Sequence, residues 1–211
     1  MKYQILKGDS IQFKHLKTGL PVKLYRIIAL KEFESPGGLI KEGEIGGFIQ
    51  SESNLSQDDS SWIAQMAKVM DKVQLKDSYI TNDAILFERG TIEDSLVSGK
   101  VRVWGDACIS KSMISDNVDI YDQAIVEGSK IKNSCVVCMK GKVINSEMRD
   151  GSRVAGTSFV TDCKLFDQSE VKGSSNVTNC HFSGRTVISN GTLRNESRNE
   201  AIELTVTTNA S

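Results

Sequence analysis

Five cysteines, two histidines and one cluster of basic residues are the groups in this 211-residue chain with chemistry to offer. Cys135 and Cys138 have the C-x-x-C spacing that binds metal or exchanges disulfides when both thiols face the same way. His15 and His181 are the side chains able to trade protons near neutral pH. Lys130, Lys132, Arg149 and Arg153, with Phe166 nearby, are the residue types that bind an anion, because arginine grips phosphate with two N–H groups and an aromatic ring stacks on a base. No Gly-rich phosphate loop, nucleophile elbow or paired metal-ligand motif is present, so no cofactor and no metal site is expected. Whether the remaining groups act together depends on the elements that position them.

Those elements are encoded in an unusual period. In SMISDNVDIYDQAIVEGSKI, Ser112 to Ile131, the aliphatic residues Ile114, Ile120, Val126 and Ile131 follow at steps of six, six and five. A helix would return an apolar residue every three or four positions and a half-buried strand every second one, so neither fits. The pattern extends in both directions as three columns with a 17-residue repeat. The first is Ile63, Ile80, Val97, Ile114, Ile131, Met148, Leu165 and Phe182. The second runs from Val69 to Ile188, and the third from Leu75 to Val177 and then, one residue early, Leu193. Two positions before each first-column residue stands a small one: Ser61, Ser78, Ser95, Ser112, Ser129, Ser146, Cys163 and Cys180. Turn formers such as Gly105-Asp106, Asp116-Asn117, Asp150-Gly151 and Gly173-Ser174 separate the steps. Three short strands and three corners per coil satisfy this arrangement. The predicted fold is therefore all-β, a triangular parallel β-solenoid of about eight 17-residue coils. At a stacking distance of about 4.8 Å it is a prism roughly 35–40 Å long.

The solenoid sorts the reactive groups. Cys135 falls on an inward position and Cys138 on an outward one, so their thiols diverge. Cys163 and Cys180 continue the serine column as small core residues. Two outward columns are apolar over their early coils: Trp62, Tyr79, Leu96 and Met113 on the first face, and Met70, Phe87, Trp104 and Tyr121 on the second. A contiguous apolar stripe marks a covered or binding surface, so these residues are expected to meet an N-terminal cap or a second copy of the chain. The first-face column then turns polar with Lys130, Glu147, Lys164 and His181. Lys132 and Arg149 are vertical neighbours, with Arg153 across the same corner. Stacked like charges repel, which makes this corner the candidate site for an anionic ligand.

Two resemblances enter on particular segments. VWGDAC (Val103 to Cys108), IYDQAI and VKGSSN resemble the hexapeptide pattern of left-handed parallel β-helices, which implies left-handed coiling. LYRIIALKEF and IKEGEIGGFIQSESNLSQDDSSWI (Ile40 to Ile63) resemble the lead-in of phage- and prophage-encoded β-helix proteins of uncharacterised function. That likeness implies a phage origin; with the apolar stripes and the basic corner as surfaces, the chain is read as a non-catalytic binding or decoy protein directed at a host defence component or a small anionic, nucleotide-like signal. Among proteins of this fold a homotrimer is the commonest assembly, then a dimer. Hexapeptide-repeat acyltransferases supply the alternative, in which His181 would be the base. The strict repeat leaves no room for the long loop that shapes acceptor and donor sites in those enzymes.

Composition and chain ends complete the expectation. A net charge of −1 argues against an extended nucleic-acid surface. The apolar run Leu24 to Leu30 falls far short of the roughly 20 residues that span a bilayer, so the chain is read as cytoplasmic, in the host cell if phage-encoded. Residues 1–50 are expected to form a small β-rich cap, with strands at Tyr3 to Leu6, Ile11 to Lys14 and Val22 to Leu30. Residues 51–194 form the solenoid, and 195–211 a final edge strand around Ala201 to Val206 with a polar tail.

Overall fold

The computed structural model describes residues 1–200 and 203–205. Its core is the solenoid that the columns encode. The first face is a parallel sheet of nine two-residue strands, from Trp62–Ile63 to Ser197–Arg198. The second face begins its regular run at Lys68–Val69 and the third at Gln74–Lys76. Late in the chain, Glu170–Thr178 and Val187–Arg194 run unbroken through the corner between those two faces. Every column residue from Ile63 to Ile188 is buried, and only Leu193, the one out of step, is half-buried. Full burial of such a side chain stabilises by about 1.5–3 kcal/mol, which ordering the coil largely offsets.

Corners need a residue that turns the chain through positive φ, and each corner keeps its own column of them. The first has Asn82, Gly99, Asp116, Asn133 and Asp150; the third has Asp77, Asp94, Lys111, Gly128, Asn145 and Asp162. Asn, Asp and Gly are the residues that tolerate this conformation best. At the second corner Gly105 (φ 78) is required on a second ground, since a Cβ there would meet the backbone oxygen of Asp122 at 2.6 Å.

The serine column does more than save space. From Ser61 to Ser146 each hydroxyl oxygen accepts the backbone N–H of the residue 17 positions later, at 3.0–3.2 Å. From Ser78 to Ser146 each hydroxyl also donates to the carbonyl two residues earlier, at 2.6–2.8 Å. Cys163 and Cys180 continue the ladder through sulfur, accepting from Cys180 N and Glu196 N at 3.3 and 3.4 Å. That last bond belongs to a ninth rung which the apolar spacing did not predict. Ser197–Arg198 is polar and is held by backbone bonds, His181 N to Glu196 O at 2.8 Å and Ser183 N to Arg198 O at 2.9 Å. The expected edge strand appears at Glu203–Thr205; Ala201, Ile202 and Val206 lie outside the described residues.

Residues 1–50 lie on the first coil. Strands β1 (Tyr3–Lys14) and β2 (Pro21–Ala29) form an antiparallel hairpin with an irregularity between Leu6 and Ser10. A small hairpin of β3 (Phe33–Ser35) and β4 (Gly38–Ile40) follows. β5 (Ile45–Ile49) pairs antiparallel with β2 and parallel with Lys68–Val69, so the second-face sheet begins before residue 51. The first coil has no preceding coil to donate to its carbonyls, and this region supplies the donors. β5 and the residue after it give Phe48 N to Ala67 O at 2.9 Å and Gln50 N to Val69 O at 3.1 Å. Side chains do the rest: Lys2 Nζ to Ser61 O at 2.9 Å, Arg26 Nη1 to Gln65 O at 3.0 Å, and Asn54 Nδ2 to Asp71 O at 3.1 Å. Lys2 is buried and balanced by Asp59 at 3.0 Å, and its ammonium pKa is lowered by desolvation. The Tyr3 hydroxyl donates to Leu55 O at 2.7 Å, and burial pushes its pKa up to about 12.

Two outcomes follow. Ser112→Ala strands Ser129 N–H and removes a bond to Ser110 O, so the urea midpoint should fall by the equivalent of about 1–3 kcal/mol, while Ser112→Cys, which imitates Cys163, should cost less. Tyr3, with its folded pKa raised, contributes stability that is complete below the ordinary tyrosine value of about 10 and is lost as pH rises toward about 12. Urea melts across that window should therefore show the wild type losing stability faster than Tyr3→Phe.

Candidate functional site

The proposed anion residues do not converge on one point. Lys130, on the first-face strand Lys130–Ile131, and Lys132, just after it, flank the inward Ile131, and both are exposed. With Met113, Ser115 and Glu147 they surround a hollow of about 180 Å³. Neither lysine forms an ion pair among the described residues, so their charges are available to a ligand. Arg149 is already engaged: its guanidinium lies 3.8 Å from the Phe166 ring centroid, and Nη1 is 3.2 Å from Asp150. Phe166 is only 7% exposed, with Arg149 on its face and His181 edge-on at 5.2 Å, so it has no free face for a base. Arg153 points elsewhere, toward Glu170 at 3.7 Å and the Cys138 sulfur at 3.7 Å. The structure thus brings two of the four cations, Lys130 and Lys132, to a shared hollow. Its other wall is Met113, the last residue of the first apolar column, which is 52% exposed.

The N-terminal region covers the early part of both apolar columns rather than one of them. On the first face Trp62 is buried with Phe33 packed edge-on at 5.7 Å, and Gly37 lies so close to Tyr79 that a Cβ would sit 2.4 Å from its ring. Further along that face Leu96 is half-buried and Met113 is exposed. On the second, Met70 and Phe87 pack with Leu24 and Phe48. Trp104 and Tyr121 continue the column as a ring stack, Phe87 to Trp104 at 5.7 Å and Trp104 to Tyr121 at 4.3 Å, the planes within 5°.

The two histidines differ in setting. His181 is half-buried against Phe166 in the first-face column. His15, outside the repeat, is fixed on the solenoid: Nε2 is 3.0 Å from Asp71 Oδ2, and Nδ1 accepts from Lys17 N and Thr18 N, both at 3.2 Å. With N–H donors on Nδ1, the ring proton sits on Nε2 and is donated to Asp71. His15 also meets the Phe87 ring edge-on at 5.1 Å, so it ties the β1–β2 turn to the second column. Nothing in the repeat announces this contact, because His15 precedes it; the only trace is an aspartate at a corner position. Of the C-x-x-C pair, Cys135 bonds inward to Ser152 Oγ at 3.3 Å, whereas Cys138 lies on the outer side near Arg153.

No protein-family model matches the chain, and no curated protein matches its sequence.

The thiols give a direct check on the geometry. All five are free, Cys108 alone is exposed, and burial raises the pKa of Cys135 and that of Cys163, the latter to about 11. Titration of the native protein with a disulfide reagent at neutral pH should consume one thiol promptly and the other four only on unfolding.

Proposed function

We propose that this chain is a non-catalytic, phage-type binding protein that acts through the side of its solenoid and takes a small anionic, nucleotide-like ligand, as a decoy or inhibitor of a host defence component. The resemblance of its lead-in segment to phage-encoded β-helix proteins supports the origin. The observation that carries the binding reading is the hollow between Met113 and the unpaired lysines Lys130 and Lys132. A phosphate there accepts charge-assisted hydrogen bonds from two ammonium groups, and the thioether of Met113 offers an apolar surface to the rest of the ligand. Glu147, beside Lys130 on the next coil, accepts N–H or O–H donors, which favours a ligand with both an anionic and a donor end. Leu96, half-buried, and Met113, exposed, are also the residues through which a homotrimer or dimer would form in this reading.

Calorimetry with adenosine and guanosine monophosphates tests the site. The wild type should bind, and Lys130→Ala with Lys132→Ala should weaken binding by about tenfold or more, given what a charge-assisted hydrogen bond contributes. Arg149→Ala should leave it unchanged, because that guanidinium is committed to Phe166 and Asp150. Equal affinity of the double variant and the wild type would remove the site.

A further inference from the structure

A second surface, on a different corner and made of different residues, is built for a ligand of another class. The turn of the β1–β2 hairpin, held by His15 on Asp71 and by the Lys17–Glu88 ion pair, stands over the second corner of the solenoid. Two hollows adjoin beneath it, of about 310 and 400 Å³, and share Lys17, Glu88 and Asp122. Each falls in the usual size range of small-molecule sites, about 300–1,000 Å³. Together they form an open trough along the solenoid axis. Glu88, Asp106, Asp122 and Lys140 line it from four successive coils, a span of about 14 Å at the spacing of stacked strands.

Three properties narrow the occupant. Most of the charge in the larger hollow is paired, Lys17 with Glu88 and Arg89 with Asp106 at 2.7 Å, and the remaining two groups, Asp122 and Lys140, are of opposite sign. A highly charged ligand would have to break those pairs, whereas a hydroxyl donates to the carboxylate and accepts from the cation without separating them. Secondly, the backbone of this corner is occupied. Gly105 N donates to Glu88 Oε2 at 2.8 Å, Asp106 N to Asp122 O at 2.6 Å, and Met139 N to Asp122 Oδ2 at 3.2 Å. A peptide strand, which binds by adding to free backbone groups, finds no edge here. Thirdly, one side of the trough is aromatic. Phe87 and Trp104 line it, and because their faces are turned to each other and to Tyr121, they present ring edges. An apolar ledge beside planar polar groups (Asp122, Gln123, Arg89) suits a ring-shaped molecule that is apolar on one side and hydroxylated at its rim.

We infer that the trough binds a linear, uncharged oligosaccharide laid along the solenoid axis beneath the β1–β2 turn. Trp104 supplies the apolar ledge, and Asp122 and Gln123 bond to ring hydroxyls.

The test uses the tetramers of cellulose, starch and chitin as neutral probes and tetragalacturonate as a charged one, with calorimetry and tryptophan emission as readouts. The chain has two tryptophans, and since Trp62 is fully buried, an emission change reports Trp104. At least one neutral tetramer should bind and shift the emission. Asp122→Asn, which keeps an acceptor for Met139 N, and Gln123→Ala should each weaken that binding several-fold with the melting temperature unchanged. The Lys130→Ala, Lys132→Ala protein should bind sugar as the wild type does, so the fate of the first-face site does not decide this one. The inference is overturned if no neutral tetramer binds at millimolar concentration, if tetragalacturonate binds more tightly than all of them, or if both trough variants bind unaltered.

Discussion

The hydroxyl ladder inside the first face is the interaction on which the stack depends. A parallel solenoid bonds each outward strand residue to the coil above, but at the start of every first-face strand an N–H points into the interior, where no water can reach it. A buried donor left unpaired costs about 1–3 kcal/mol. Serine solves this with one atom that accepts the N–H from the next coil and donates to a carbonyl of its own coil. Because the partner is always 17 residues away, every serine fixes the length of the coil that follows it. An inserted or deleted residue between two rungs would strand both a donor and an acceptor, which explains why the repeat tolerates Cys163 and Cys180 but no change of spacing between Ser61 and Cys180.

The same requirement shapes the N-terminal region. A coil without a predecessor has carbonyls that face nothing, and a chain with open sheet edges invites pairing with another copy. Here the donors come from unlike sources: backbone from β5, an ammonium from Lys2, a guanidinium from Arg26 and an amide from Asn54. Burying Lys2 is costly, as the lowered pKa of its ammonium shows, and the cost is accepted because three oxygens, two of them backbone carbonyls, are satisfied by one group. Tyr3 and Asn54 then lock the segment that leads into the first coil.

The solenoid was legible in the sequence because each column residue reports its own burial and the period repeats many times. The arrangement at the ends was less so. A single copy of the N-terminal segment gives no period to read, so its docking over both apolar columns, through Phe33 and Gly37 on one and Leu24 and Phe48 on the other, follows only from the folded chain. The ninth rung escaped notice for the opposite reason: Ser197–Arg198 is held by backbone and by the Cys180 sulfur, and apolar spacing is blind to both. At the basic corner, column positions told correctly that Lys132 lies beside Arg149, yet not that the guanidinium turns the other way onto Phe166. Side-chain direction at an exposed position is decided by rotamer and local partner, which a repeat does not encode.

Charge placement separates the two proposed surfaces from the rest of the solenoid. Over much of the solenoid, opposite charges stand on successive coils in the same column: Lys76 with Glu93, Arg89 with Asp106, Arg102 with Asp119, and Arg153 with Glu170. Each exposed pair contributes only about 0.2–1 kcal/mol, but such pairs remove the repulsion that a one-sign column would build up. Lys132 over Arg149 breaks this rule, and the chain offsets the breach by drawing Arg149 onto Phe166 and Asp150. The outcome is two lysines without ion pairs among the described residues at the end of an apolar column, with Glu147 beside Lys130 on the next coil. In the second-corner trough two pairs form, Lys17 with Glu88 and Arg89 with Asp106, while Asp122 and Lys140 have no ion pair among the described residues. The two surfaces proposed as sites thus differ in how far neighbouring residues pair each other's charges.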